Sequence, residues 1–463
     1  MDRPDRPDGP DPKLTSFYRL LVGQSVSMFG TGLTSFALAV YVYEEMGSVT
    51  RFALVALAAI LPGLLIGPTA GVWVDRWDRR RTILWTDSLA AIATLALAVR
   101  FFLAGGLGLP TIFAAVIFFS VLGAFQRPAI LSSVPLLVAK EQLTRANGAL
   151  QFIEVIPQIL APIVAGFLLV SIGLGGVMVI DVVTFLFALA TLLTVHIPKP
   201  VASTGRPRPM GGQIAEARRF ITSHPGLIGL LTLSTVASFA LAMMQLTLQP
   251  LVLDLASAAT LGVVVSLGNI GLLVGSVLIT AWGGAARKID VVLGCCALLG
   301  VGMVIAGLRP SIPWIVAGFF IVTLSVPVRG ASAAALWQTK TPADRMGRVL
   351  ALRQTLIGLS IPLAYVLAGP LVDRLFNPWM APGGRLEASV GQMLGVGPGR
   401  GIGLLFVVVG GLTLTVTLFA ALVPSVRRVE RDVPDADTET PRDASDAPAA
   451  VDAGAQDSTT DAA

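Results

Sequence analysis

Apolar residues along this chain come in long blocks, with polar residues confined to the gaps between them. Twelve blocks, at 17–43, 50–74, 82–103, 110–139, 145–171, 176–196, 225–253, 258–282, 289–308, 312–338, 347–373 and 401–424, are each mostly apolar. About 20 such residues suffice to cross a bilayer as a helix. The pattern predicts an all-α membrane protein with twelve transmembrane helices. Most gaps are short and predict antiparallel neighbours. One is long: residues 198–223 carry Lys199, Arg206, Arg208, Arg218 and Arg219. It reads as a cytoplasmic linker between two six-helix bundles, 15–197 and 224–426, with a short amphipathic helix near Ile214–Phe220.

Composition supports the pattern. Hydrophobic residues make up 54% of the chain and charged ones only 13%, against about 25% charged in soluble domains. The 33 Lys and Arg gather in segments that fall on one side when both termini are placed inside, as the positive-inside rule requires. Shifting the layout by one helix reverses that asymmetry. The net charge of +5 is therefore a topology signal, and no nucleic-acid partner is expected. Residues 1–14 are polar and Pro-rich, too charged for a cleaved signal peptide, and read as a disordered cytoplasmic leader. Residues 427–463 form an acidic Ala/Asp/Thr-rich tail with too few apolar residues to offset the entropy of ordering. Cys295 and Cys296 sit together in an apolar block and read as small core residues. His196 and His224 fall at helix ends and read as interfacial.

The halves repeat. An offset of 202 residues pairs Arg127 with Arg329 and Ala149-Leu150 with Ala351-Leu352. Between the second and third blocks, the loop region reads Gly71-x-x-x-Asp75-Arg76-x-x-Arg79-Arg80. This resembles the loop 2–3 motif of the major facilitator superfamily of secondary transporters, with Asp78 where the family usually has glycine. Phe125-Gln126-Arg127-Pro128-Ala129 and Arg145-Ala146-Asn147 are similar to the branch holding macrolide-efflux proteins, multidrug exporters and siderophore exporters. So are Leu336-Trp337-Gln338-x-Lys340, Gly347-Arg348-Val349 and Gly369-Pro370-Leu371-Val372-Asp373. The resemblance covers roughly residues 15–425. It implies two pseudo-symmetric bundles working by alternating access. Asp75, near the start of helix 11 at residues 341–348, is expected to latch the cytoplasmic side in the outward-open state through the helix dipole; arginines serving only as topology signals are the alternative.

The fifth block carries a second motif. Pro157-x-x-x-Ala161-Pro162-x-x-Ala165-Gly166 resembles the antiporter motif, with proline at the first glycine position and alanines at 161 and 165. An ordinary kinked packing seam is the other reading, since small residues let helices approach and proline bends them. Asn147, Gln151, Glu154 and Gln158 lie at i, i+4, i+7 and i+11, on one helical face. A charged residue at bilayer depth costs about 2.5–3.5 kcal/mol or more, so this face is expected to line a cavity. Glu154 is the expected proton-coupling carboxylate, its pKa raised by desolvation. A permanent Glu154–Arg127 ion pair remains open as the alternative. Asp87 on the third block reads as structural, and the first block has no acidic residue at depth: Thr31 follows Gly30 where many relatives have aspartate. Gln24, Gln126, Arg127, Gln151, Gln245, Asn269 and Arg329 are the expected cavity residues, with Met243 and Met244 as adaptable apolar surface.

These readings converge on a proton-driven exporter of amphipathic small molecules in a bacterial plasma membrane, a multi-pass protein acting as a monomer. A dedicated siderophore or secondary-metabolite exporter, an importer, and a non-transporting sensor or scaffold are the alternatives. No G-x-x-x-x-G-K-[ST] nucleotide loop and no cluster of His, Cys or carboxylates is present in the sequence, so neither an ATP-driven pump, an enzyme, a cofactor nor a metal site is expected.

Overall fold

The computed structural model describes residues 12–139, 142–195, 197, 210–285, 287–342 and 345–435, with backbone alone at 12, 13, 75, 144, 147 and 210–213. Most of the expected leader, the linker stretch 198–209, the tail beyond 435, His196, and the side chains of Asp75 and Asn147 lie outside the described residues. Every regular element described is a helix: α1 (Pro12–Met46), α2 (Val49–Arg76), α3 (Arg79–Ala104), α4 (Leu109–Leu137), α5 (Leu143–Leu193), α6 (Met210–Thr222), α7 (Pro225–Leu253), α8 (Ala258–Trp282), α9 (Lys288–Leu308) and α10 (Ile312–Lys340). Then come α11 (Met346–Gly358), α12 (Ser360–Pro370), a π-helical turn (Leu371–Phe376), α13 (Asn377–Met380), α14 (Val390–Leu394), α15 (Arg400–Leu422), α16 (Pro424–Arg427) and α17 (Val429–Asp432).

Eleven helices, counting α11 to α13 as one, are long and apolar enough to cross a membrane. The twelfth passage is hidden inside α5. Gly173 has φ 67 and ψ 178, a conformation open only to glycine, and the chain reverses there without a loop. The contacts of α1 record the reversal: Gly23 meets Thr191, and Gly30 meets Thr184, on the second limb, while Gly32 meets Ala161 on the first. Residues 143–172 and 174–193 thus replace the two expected spans at 145–171 and 176–196. Large apolar side chains such as Leu103, Val170, Phe419 and Leu422 stand exposed on the outside. An apolar surface of this extent calls for a lipid cover.

The helices pack as two bundles with matching internal contacts. In the first, α2 packs on α4 and α3 on α4 and the second limb of α5; in the second, α8 packs on α10 and α9 on α10 and α15. The bundles meet along α5 with α8 and α2 with α12. The amphipathic linker helix is α6, longer than expected, and its Glu216 pairs with Arg345 (3.3 Å) and Arg348 at the start of α11. The tail becomes irregular later than residue 427. Buried Lys340 donates to the carbonyls of Glu430 (2.6 Å) and Val433 (2.7 Å) and pairs with Asp435, and the Glu430 carboxylate accepts from Ile289 N–H. The Lys340 ammonium holds the Asp435 carboxyl below the usual carboxylate range.

Loop residues earn their places through helix ends. Asp78, the departure from the family glycine, is the N-cap of α3 and accepts from Arg81 N–H at 3.1 Å, a strongly favoured capping role. Arg80 donates to the carbonyls of Leu193 (2.7 Å) and Leu192 at the end of α5, where a cation complements the helix dipole. Arg79 reaches Ser132 on α4 at 2.9 Å.

The proline segment of α5 is tied to the other bundle. Proline at 162 has no N–H, so the carbonyl of residue 158, one turn earlier, loses its intrahelical partner. Asn269 of α8 fills it, donating from Nδ2 to the Gln158 carbonyl at 2.8 Å. Small residues allow the approach: a Cβ on Gly262 would lie 2.3 Å from the Pro162 carbonyl, and one on Gly166 2.7 Å from that of Ala258. Asn269→Ala is expected to cost about 1 kcal/mol, the net worth of one hydrogen bond. In a Pro162→Ala background, which restores the helical N–H, the same change should cost far less. Thermal unfolding of the four proteins of this double-mutant cycle measures the coupling.

Candidate substrate cavity

A cavity of about 930 Å³ lies between the bundles, at the upper end of the size range for small-molecule sites. Its walls come mainly from α1, α2, α4 and α5. The second bundle adds Gln245 and Gln249 of α7 and Tyr365 of α12. Apolar side chains such as Phe52, Phe119 and Phe185 dominate the lining, and polar groups are few. Arg127 and Glu154 face each other at 3.2 Å. The Arg127 side chain is 71% exposed, so solvent reaches the pair, which lies in the half of α4 nearer the face bearing the termini.

The opposite face is sealed by contacts between bundles. Asp373, on the π-helical turn after α12, accepts from Ser48 Oγ (2.7 Å), Val49 N–H (3.3 Å) and Thr50 N–H (2.8 Å). A carboxylate from the second bundle thus caps the N-terminus of α2 in the first, where the helix dipole and unpaired N–H groups favour an anion. Tyr43, at the end of α1, donates to Asp254 at the end of α7 at 2.7 Å. Burial pushes the Asp254 carboxyl up from its ordinary range, while the Tyr43 hydroxyl and the Gly399 N–H draw it back.

Behind the cavity wall sits a second carboxylate. Asp87 is fully buried, accepting from Gln24 Nε2 at 2.9 Å and from Gln126 Nε2. It does not snorkel, and its two partners are the glutamines expected to meet substrate.

The model of the Major Facilitator Superfamily matches residues 20–365 of this chain. The chain belongs to that superfamily. Macrolide efflux protein A of Streptococcus pyogenes is 28% identical to this facilitator over 383 residues, covering 80% of the chain and 93% of that protein. The multidrug efflux pump Tap of Mycolicibacterium fortuitum is 27% identical over 354 residues, covering 74% and 86%. Among solved structures, a bacterial homologue of the human lysosomal transporter Spinster, inward-facing and unoccupied, superposes with a TM-score of 0.66 at 14% identity, over 91% of this chain and 99% of that one. A bacterial homologue of the iron transporter ferroportin, also inward-facing, gives 0.61 at 18%, over 88% and 98%. The facilitator is a multi-pass membrane transporter of small molecules, not an enzyme.

The expected site residues of the facilitator separate into groups. Gln24, Gln126, Arg127, Glu154 and Gln245 line the cavity together with Pro157, Gln158, Ala161 and Pro162. Gln151 is exposed outside its described lining, Asn269 is in the seam, and Ala165 is buried. Arg329 is buried within the second bundle, its Nε without a partner among the described residues. Met243 and Met244 are core side chains, not cavity surface. Sequence reasoning passed over Gln249, Tyr365 and Asp181. The last is an acidic residue in the middle of an apolar block, a signal that was there to be used.

Two measurements address the seal. Asp373→Ala should cost about 1 kcal/mol of closure, about a fivefold change in the closed-to-open ratio, read from spin-label distances across that face. For Asp254, the closed state holds its proton more tightly than an open, solvated one. Lowering pH toward its raised pKa should therefore favour closure, and that contribution is lost at higher pH. The same distances followed against pH should lose this dependence in Asp254→Asn.

Proposed function

We propose that this facilitator is a proton-driven exporter of amphipathic small molecules, of the macrolide and multidrug kind, working by alternating access as a monomer in a bacterial plasma membrane with both termini cytoplasmic. The observation that carries the reading is the cavity itself: a large apolar chamber whose polar groups include a paired cation and anion, Arg127 and Glu154. Apolar walls suit the body of an amphipathic molecule, and the ion pair offers charge of either sign. The names of the macrolide and multidrug efflux relatives support the same substrate class.

Glu154 is the coupling carboxylate in this scheme. It faces the Arg127 guanidinium. A substrate or conformational change that draws Arg127 away leaves an acid facing the cavity, able to take a proton. The Pro157–Gly166 segment bends beside it and joins the bundles, which suits an antiporter hinge. The loop residues Gly71, Asp75, Arg76, Arg79 and Arg80 serve as the gate on the cytoplasmic side, with Asp75 latching α11 when the cavity opens outward. One proton moving down about 100 mV supplies roughly 2.3 kcal/mol, enough for about a fifty-fold gradient.

The test is growth inhibition in cells lacking their main pumps. Wild type, Glu154→Gln and Asp75→Asn, matched for membrane level, face macrolides, tetracyclines, cationic dyes and siderophore precursors. Protection by wild type against several unrelated compounds, reduced at least tenfold in both variants, is the expected result. Protection against siderophore precursors alone would replace it with a dedicated exporter. Protection against none, together with no counterflow in vesicles, would leave a protein that does not transport.

A further inference from the structure

We propose that Asp181 is a second proton-binding site of the transport cycle, set in the cavity wall between α1 and the second limb of α5 and separate from the Glu154–Arg127 pair. The proposal rests on the proton-driven reading above.

Three carboxylates stand in or beside the cavity, and their partners differ. Glu154 faces a guanidinium. Asp87 is held by two amide N–H groups, which only donate and so suit a fixed carboxylate. Asp181 is 2% exposed and has only hydroxyls. Thr184 Oγ1, which donates to the Asp181 backbone carbonyl at 2.7 Å, lies 3.4 Å from Oδ1, and Thr31 and Thr34 of α1 stand close by. The Thr34 hydroxyl is buried and makes no hydrogen bond among the described residues, so it is free to turn to the carboxyl. A hydroxyl donates to a carboxylate and accepts from a carboxylic acid equally well. The same shell therefore serves both protonation states without rearrangement.

The site is built by close approach. A Cβ on Gly30 would lie 2.8 Å from Asp181 Oδ1 and 2.0 Å from Thr184 Oγ1, so α1 closes on the carboxyl only because residue 30 has no side chain. Thr31, Thr34 and Asp181 all line the cavity, which gives the proton a way in and out. The charged groups around it do not neutralise it. Around Asp181, α1 presents glycine and hydroxyls. On α3, Asp87 is tied to its glutamines and Arg100 is exposed. Elsewhere on the cavity wall stand the Arg127–Glu154 pair and Tyr365 of α12. A bare carboxylate at this depth without a cation is costly, whereas the neutral acid among hydroxyls is satisfied.

Infrared difference spectroscopy of the purified facilitator in lipid nanodiscs, with pH stepped across its folded range, reads the site without any substrate. A carboxylic-acid C=O band that titrates in wild type and Glu154→Gln, and is lost in Asp181→Asn, is the expected result. Thr184→Val keeps the carboxyl and should shift the frequency of the band, which guards against a misfolded Asp181→Asn. A band unaffected by both changes overturns the proposal. Transport in proteoliposomes, with radiolabelled erythromycin as probe, then reads coupling. Asp181→Asn, compared with its own uptake at zero gradient, should lose about tenfold in accumulation per unit of imposed pH gradient, the loss of one proton per cycle. Wild type insensitive to the gradient would sink the proton-driven reading. A responsive wild type with an equally responsive Asp181→Asn would sink only this inference.

Discussion

Inside hydrocarbon there is no water to satisfy a backbone group, and this constraint organises the whole molecule. It makes every described element a helix, and it makes each interruption of a helix an event that needs a partner. Pro162 opens one carbonyl on α5, and the partner that answers it, Asn269, comes from the other bundle. The α5–α8 seam is therefore more than apolar packing. One polar bond at its centre fixes register, and the glycines at 166 and 262 let the backbones come near enough to make it. The seal on the face away from the termini obeys the same rule: the unpaired N–H groups at the start of α2 are answered by Asp373 from the opposite bundle.

Electrostatics in the cavity follows from who faces each carboxylate. Arg127 gives Glu154 a charge to neutralise, two glutamines give Asp87 donors, and Asp181 has hydroxyls alone. All three are side-chain carboxyls, in three roles. Depth alone does not distinguish them, because Asp87 and Asp181 are both almost wholly buried.

The fold was legible from block lengths because crossing a bilayer demands about 20 apolar residues whatever the packing. Block edges matched helix ends closely, as at 258–282, which is α8 to the residue. The Arg127–Glu154 pair was also legible, since both residues are charged within apolar blocks and such residues seek partners. What the sequence did not reveal was direction. Asn269 and Arg329 look like cavity residues by their depth, yet a helix presents a residue to cavity, seam or core according to its rotation, and only packing sets that. Met243 and Met244 turned inward for the same reason. Asp181 was missed because attention went to the empty position at Thr31 on α1, and the side chain that fills the space arrives from a helix distant in sequence.

Gly173 joins the two limbs of α5 through a single left-handed residue. Most neighbouring spans in this chain are linked by a few residues of slack, which lets one helix tilt while the next stays put. Here there is none. The first limb is bolted to α8 at the bundle seam, and the second holds Asp181 against α1. A rocking of one bundle on the other would pull on the first limb, with no loop to take up the movement before the second. The geometry around a buried carboxyl would then follow the relative angle of the two halves.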